Sequence, residues 1–289
     1  MSAPTTSPTG RCVCLNGRGG SRKTKPINWY GQDTRCSHGS RAAKLDPRAR
    51  GKFIGVTTDP LALSHEVDRA TARLLDTAVT LTDQNLAEPS LLAGWTRGHV
   101  MTHVARNADS LINLLNWART GVETRQYANP DERSAGIEAG AGRSVSEQIA
   151  DVREASARFA DACANMPAEA WAAMLGDAGP AVTVVWRRLR EVEVHHVDLA
   201  SGYTWRDWPE AFTHRLLHEL IDVRRGGPPP KLWLKAAGLN HPLQLGDGTP
   251  DATVAGNAAD IAAWLAGRST GTGLTIDPPG DLPAVPEWM

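Results

Sequence analysis

Four long segments of this chain repeat apolar residues every three or four positions, the spacing of an amphipathic helix. The four segments lie near residues 60–81, 97–119, 144–166 and 183–201. Thr96 is placed to cap the second segment, the box Ser144-x-x-Glu147 opens the third, and Gly202 closes the fourth. Helices of this length bury their apolar stripes against one another, so the sequence predicts a four-helix bundle.

The pattern changes after the bundle. A fifth helix ends before the Gly-Gly-Pro-Pro-Pro run at 226–230, which no helix can continue through. Short strands are predicted at 232–234 and Leu243–Leu245, and a helix at 257–266. This mixture is typical of a small α+β domain.

The first 52 residues differ from the rest in charge and in periodicity. They hold 11 of the 31 Lys and Arg residues, only two of the 32 acidic residues, and almost no apolar repeat. A segment with so little apolar content cannot repay the entropy of ordering, so we expect a disordered basic extension. The predicted division is therefore an extension at 1–52, a four-helix bundle at 57–208 and a C-terminal α+β domain at 209–289.

The remainder of the chain is acidic. Beyond residue 52 there are 20 basic and 30 acidic residues, a net charge of −10, which disfavours nucleic acid as a partner. No run approaches the ~18 apolar residues that cross a bilayer, and the N-terminus lacks the apolar core of a signal peptide. We expect a cytoplasmic protein without a nucleic-acid or membrane partner.

The cysteines do not suggest a disulfide framework. Cys163 is the single cysteine beyond residue 52, and it is expected to be buried and inert. Cys12-x-Cys14 with Cys36-x-His38 offers four zinc ligands, but the spacing fits no common zinc finger. We therefore interpret that segment as part of the disordered extension.

The chain is rich in tryptophan, with 10 residues. We interpret these side chains as anchors of the core and of interfaces and assign them no catalytic role. The interpretation covers Trp95, Trp117, Trp171, Trp186 and Trp264 among others.

The fourth helix carries two candidate pairs of metal ligands. Glu191 and His195 are four residues apart, so their side chains project from adjacent turns and can bind one ion. Glu193 and His196 are three apart, also a metal-binding spacing in bundles, and His196 lies in the middle of the apolar stripe. Spacing alone leaves both pairs open, together with the alternative of a buried core histidine and solvated glutamates.

A third ligand is available on the second helix, which carries His99 and His103. Three protein ligands leave one open position on a tetrahedral ion, as in catalytic rather than structural zinc sites. The spacing does not choose between the two histidines.

Three motifs in a fixed order resemble one known family. They are Gly94-Trp95 with His103 eight residues after the tryptophan, the stretch Glu191-x-x-x-His195-x-x-Asp198-Leu199, and the segment from Val254 to Arg268. In a bundle followed by an α+β region, they resemble the mycothiol-dependent maleylpyruvate isomerases, which belong to the DinB-like metal-binding bundles. The resemblance covers about residues 57–289, and it implies a C-terminal domain like the sterol carrier proteins.

The resemblance implies which residues form the site. His103, Glu191 and His195 would hold zinc or another divalent metal, in preference to the alternatives on the same two helices. Asp198 would orient a ligand histidine, or is only a charge near a helix end. Arg268 would act in catalysis by binding a substrate carboxylate, or is a surface arginine at a helix terminus.

The function implied by the resemblance is cis–trans isomerisation of maleylpyruvate to fumarylpyruvate in gentisate-type aromatic catabolism. The thiol of mycothiol adds to the alkene, the carbon–carbon bond turns, and elimination returns the thiol, which the metal activates. The partners are then a small dicarboxylate and a low-molecular-weight thiol. Alternatives are a mycothiol S-transferase acting on an electrophile, and a non-enzymatic metal-binding regulatory module.

Overall fold

The computed structural model describes residues 59–222, 228–286 and 288, and the predicted extension at 1–52 lies outside them. In these residues the chain forms eight α-helices: α1 Pro60–Ala78, α2 Asp83–Ala87, α3 Arg97–Thr120, α4 Pro130–Ala141, α5 Val145–Ala164, α6 Thr183–Asp198, α7 Glu210–Asp222 and α8 Ala258–Leu265. It also forms four strands: β1 Leu232–Ala237, β2 Leu243–Leu245, β3 Ala252–Asn257 and β4 Thr275–Asp277.

The four predicted long helices are α1, α3, α5 and α6, and they form the bundle. Helix α3 packs against α5 and α6, and α1 packs against the same two helices, so the four enclose a common core. The predicted fold class, a mainly α four-helix bundle followed by a small α+β region, is confirmed.

The predicted caps set the ends of these helices. Thr96 forms a capping box with His99 at the start of α3, and Ser144 forms one with Glu147 at the start of α5. Gly121 ends α3 in the left-handed conformation with φ of 73°, which glycine adopts without steric cost. Because the start of α3 is fixed, His103 falls roughly two turns into the helix, inside the bundle.

Helix α4 was not predicted, because it has almost no apolar stripe: its buried residues are Arg133, Ile137 and Gly140. Its end lies close against the start of α3. A side chain at Gly98 would meet the carbonyl of Ala141, and one at Gly140 would come within 2.5 Å of the Thr102 methyl group. The two glycines therefore let α3 and α4 approach closely.

The C-terminal sheet has the strand order β2-β1-β3-β4, with β1 and β3 parallel and the outer pairs antiparallel. The predicted strands correspond to β1 and β2, and the predicted helix to α8. One continuous apolar core joins residues of the bundle to residues of the sheet and of α8. The domain boundary between 208 and 209 stays a prediction.

Within the residues that the structure describes, no helix combines the length and the apolar character needed to cross a bilayer.

Candidate metal centre

Three buried side chains from two helices meet inside the bundle. His103 comes from α3, and Glu191 and His195 come from α6. One ligand atom of each lies within 4.8 Å of the other two. Across residues 59–222, 228–286 and 288, no other set of three His, Cys, Asp or Glu side chains meets this condition.

The distances within the cluster match those around a small divalent ion. Oε2 of Glu191 lies 3.0 Å from Nε2 of His103 and 3.4 Å from Nε2 of His195. Zinc bonds of about 2.0–2.1 Å at tetrahedral angles separate neighbouring ligand atoms by about 3.3 Å. Two imidazoles and one carboxylate are also a ligand set of catalytic zinc sites. The residues present therefore fit the metal that the sequence predicts.

The orientation of His195 is fixed from behind by Asp198. Nδ1 of His195 donates to Oδ2 of Asp198 at 2.8 Å, which leaves Nε2 with its lone pair facing Glu191. Asp198 in turn accepts from Arg268, whose Nε lies 3.1 Å from Oδ1 and whose Nη2 lies 2.9 Å from Oδ2. The contact predicted between Asp198 and a candidate ligand is thus present.

The electrostatics of the cluster favour a neutral His103 and ionised carboxylates, whereas the pKa of His195 is raised, because the hydrogen bonds and charges of Asp198 and Glu191 outweigh the effect of burial. Burial lowers the pKa of His103 to about 3, so its ring is neutral near neutral pH. Burial alone would raise the pKa of Glu191, but the hydrogen bonds and charges of His103 and His195 hold it well below its usual range. Burial would likewise raise the pKa of Asp198, yet Arg268 and His195 lower it to about 2. Both carboxylates are therefore ionised.

The competing pair on α6 faces a different neighbour. Glu193 binds Arg73 of α1 at 2.5 Å and accepts from the Tyr203 hydroxyl at 2.6 Å. His196 stacks on the Tyr203 ring with centroids 3.7 Å apart and bonds to Thr77 at 2.7 Å. Glu193 and His196 thus join α6 to α1 and lie outside the three-residue cluster.

His99 has a role at the start of α3. Its Nδ1 accepts from the backbone N–H of Thr96 at 3.2 Å, and its Nε2 lies 3.3 Å from Oε2 of Glu138. It is therefore a capping residue, and the structure places His103, not His99, beside Glu191 and His195 of α6.

Arg268 lies just after α8 and reaches the bundle through Asp198. Its Nε and Nη2 donate to Asp198, and its Nη1 donates to the carbonyl of Ala266 at 2.8 Å. Its predicted contact with a substrate carboxylate stays a prediction. The contacts in the structure instead tie the C-terminal region to a residue that orients His195.

Two further side chains, Trp95 and Arg133, lie beside His103 and were not assigned to the site from the sequence. The Trp95 ring lies 5.5 Å from the His103 ring, and the Arg133 guanidinium carbon lies 5.9 Å from the Trp95 centroid. Nη2 of Arg133 is 3.5 Å from Nδ1 of His103. The Gly94-Trp95 motif was a signal for Trp95, whereas nothing in the weak pattern of α4 pointed to Arg133.

Comparisons with known proteins identify the family of this chain. The profile of the mycothiol maleylpyruvate isomerase N-terminal domain matches residues 67–200. A crystal structure of the mycothiol-dependent maleylpyruvate isomerase has a TM-score of 0.71 and 30% sequence identity, covering 79% of this chain and 95% of that chain. A histidine-to-alanine mutant of the mycothiol-dependent maleylpyruvate isomerase gives the same TM-score of 0.71 and identity of 30%. A comparison with curated proteins finds no match. The chain therefore belongs to the mycothiol-dependent maleylpyruvate isomerase family.

Proposed function

We propose that this protein is a mycothiol-dependent cis–trans isomerase that converts maleylpyruvate to fumarylpyruvate, with a divalent metal held by His103, Glu191 and His195. The observation that carries the proposal is the buried ligand cluster, with spacings suited to a small dication, in a member of this family. Gentisate-type aromatic catabolism is the corresponding physiological setting.

The ligand set explains how the site would favour an anion. When bound, a dication with one open position lowers the pKa of a sulfur or oxygen ligand, and a free thiol with a pKa of ~8.5 needs this assistance near neutral pH. His103 and His195 would supply nitrogen ligands, while Glu191 would neutralise one of the two positive charges. The centre keeps net positive charge, which stabilises a thiolate or a substrate oxygen.

Asp198 and Arg268 lie on the Nδ1 side of the His195 ring, whereas its Nε2 faces Glu191. Asp198 holds the proton of His195 on Nδ1, so that Nε2 remains a ligand atom. Arg268 holds Asp198 through two hydrogen bonds. We assign Arg268 a positioning role on these contacts, and its direct contact with substrate remains a prediction.

The reacting sulfur is assigned to an external thiol. Cys163 is buried, and this burial raises the pKa of its thiol to about 12, so it is neither accessible nor ionised. An added thiolate forms a carbon–sulfur bond with the alkene carbon remote from the ketone, and the alkene electron pair moves onto the ketone oxygen as an enolate. The former double bond is now single and rotates. Elimination then breaks the carbon–sulfur bond, restores the alkene in the trans form and returns the thiol.

The test is product identification with purified metal-loaded protein, maleylpyruvate and mycothiol. We expect fumarylpyruvate to form only when the thiol is present, with the thiol concentration unchanged at the end. A stable thioether that consumes the thiol would instead identify an S-transferase. Stoichiometric metal without turnover of either kind would favour a metal-binding module, and the His103→Ala variant serves as the metal-deficient control.

A further inference from the structure

Helix α7 carries four side chains of metal-binding type at a constant spacing of four residues. They are Glu210, His214, His218 and Asp222. Residues four apart on a helix are neighbours on its surface, with Cβ atoms about 5–6 Å apart, so the four side chains form one strip along α7. None of them is among the residues that α7 buries in the core.

We propose that His214 and His218 form a second metal site of this protein, a two-histidine chelate for a divalent late transition metal such as nickel, copper or zinc. The site lies on a different helix from the candidate centre between α3 and α6. The proposed isomerase reaction does not involve it, so the inference goes beyond that function.

The spacing of the two histidines suits chelation of one ion. Histidines at positions i and i+4 of a helix project from adjacent turns on the same face, as in the helical motif of zinc peptidases. Metal–nitrogen bonds of about 2.0–2.1 Å require the two nitrogens to lie about 3.3 Å apart, which rotation of the side chains allows. Both side chains are partly exposed, and that of His214 is 21% exposed. An ion can therefore reach them from solvent and keep water ligands.

The charges along the strip favour a cation. Oε1 of Glu210 lies 3.9 Å from Nε2 of His214, and the carboxylate of Asp222 acts on His218 from the other end of the pair. Partial burial lowers the pKa of His218; Asp222 opposes this shift, and the charges of His241 and His214 add to it. His218 is therefore neutral near neutral pH, and the neutral ring is the form that binds metal.

The turn between β1 and β2 lies beside the strip. A Cβ atom at Gly238 would be 3.7 Å from Nε2 of His214, and His241 acts electrostatically on His218. An ion on the strip would therefore bind close to the C-terminal sheet. In the described part of the chain, these histidines do not form a set of three with ligand atoms within 4.8 Å of one another. Water, rather than a third imidazole, would complete the coordination.

The ligand type determines which metals the strip selects. Imidazole suits zinc, copper and nickel, whereas magnesium, calcium and manganese prefer carboxylates, carbonyls and water. Because the two proposed ligands of α7 are both imidazoles, we expect late transition metals to bind and magnesium not to compete with them.

The experiment measures the reactivity of single histidines in the full-length protein. Diethyl pyrocarbonate modifies accessible histidines, and peptide mass spectrometry follows each one with and without Ni²⁺. At about ten times the dissociation constant roughly nine-tenths of the sites are filled, so modification of His214 and His218 should slow about tenfold. His65 is the internal control, because it is exposed on α1 without a histidine four residues away, and its rate should not change. The peptides locate the ion on α7, whereas a count of bound nickel would include any held by cysteine thiolates.

Two variants test whether the histidines bind one ion together. In His214→Ala, Ni²⁺ should no longer protect His218, and in His218→Ala it should no longer protect His214, because a single imidazole loses the chelate. His65→Ala should leave both residues protected. Ni²⁺ should also raise the melting temperature of wild type more than that of His214→Ala, because a ligand that binds the folded state stabilises it.

Three results would overturn the inference: unchanged reactivity of His214 and His218 in saturating Ni²⁺, equal protection by Mg²⁺, or protection of His218 that persists in His214→Ala. If either variant does not fold, the comparison of Ni²⁺ with Mg²⁺ on wild type still decides. Failure of the proposed isomerase reaction would not affect these readings, because none of them involves turnover.

Discussion

Arg268 and Asp198 form a two-point ion pair between the end of α8 and the end of α6, with N–O distances of 3.1 and 2.9 Å. The same carboxylate accepts from Nδ1 of His195 at 2.8 Å. Arg268 of the C-terminal region is therefore connected through Asp198 to His195, a candidate metal ligand in the bundle. This relationship motivates the first prediction.

Asp198→Asn should weaken metal binding by about 10–100-fold, the usual cost of losing the group that orients a ligand histidine. The amide keeps the shape of the side chain but removes the charge that holds the proton of His195 on Nδ1. Metal affinity is measured by competition with a chromogenic chelator. Asp109→Asn is the control, because Asp109 is a partly exposed carboxylate that pairs with Arg158. Equal affinities in the two variants would contradict the orienting role.

Alanine variants of four histidines should fall into two groups. His103→Ala and His195→Ala each remove one of three protein ligands and should lose the metal. This effect is far larger than that of replacing a residue that only orients a ligand. His99→Ala removes a cap and His196→Ala removes a contact with α1, so both should keep stoichiometric metal with reduced melting temperature. Mass spectrometry of the purified variants measures metal content. Loss of metal from His196→Ala alone would show that the other ligand register is used.

Replacing either glutamate of α6 with glutamine removes a charge but keeps the size of the side chain, and so tests which pair of residues binds the metal. Glu191→Gln should bind metal weakly, because the amide no longer offsets the charge of the dication. Glu193→Gln should bind metal normally but unfold more easily, because Arg73 and Tyr203 lose their charged partner. Metal titration and thermal melting separate the two effects, and the reverse pattern would refute the assignment.

Cys163 should be unreactive in the folded protein. Its pKa, raised by burial to about 12, lies above its pKa in the unfolded chain, so at pH 8 the folded state holds almost no thiolate. Iodoacetamide at pH 8 should leave the Cys163 peptide unmodified until the protein is unfolded in guanidinium, as followed by peptide mass mapping. Isomerase activity should also survive Cys163→Ala and still require added thiol. Full turnover in thiol-free buffer would exclude an external nucleophile.

A protein that begins at Thr57 should keep its fold and its metal, because residues 1–52 lack the apolar content to contribute to a core. The measurements are the melting temperature and the metal content of the shortened and full-length proteins. A large fall in melting temperature on truncation would show that the predicted boundary is misplaced.

The two glycines of α4 should respond to alanine in opposite directions. Gly140→Ala puts a methyl group 2.5 Å from the Thr102 methyl, so it should destabilise the protein by about 1–3 kcal/mol. Gly136→Ala should stabilise it by up to about 1 kcal/mol, since in the described part of the chain no atom lies within 4 Å of the added carbon. Urea unfolding gives both values.

The sequence by itself determined the helices of the bundle and the candidate ligands. Apolar periodicity and side-chain caps are local, so they predict α1, α3, α5 and α6 with ends close to those observed. The spacing of Glu191 and His195 is also local and predicts a pair that can bind one ion. Choosing this pair over Glu193 and His196 required the resemblance to a family, because both spacings are compatible with a helix.

Only the tertiary structure decided which neighbour each face of α6 meets and what completes the site. Glu193 meets Arg73 of α1 while Glu191 meets His103 of α3, a division that depends on how the helices pack and not on their periodicity. Arg133 lies on α4, which approaches α3 closely where Gly98 faces the Ala141 carbonyl and Gly140 faces the Thr102 side chain, and this contact leaves no apolar pattern in the sequence. Such contacts arise from the packing of distant segments, and this is the physical reason that the position of Arg133 beside His103 could not be predicted from the sequence.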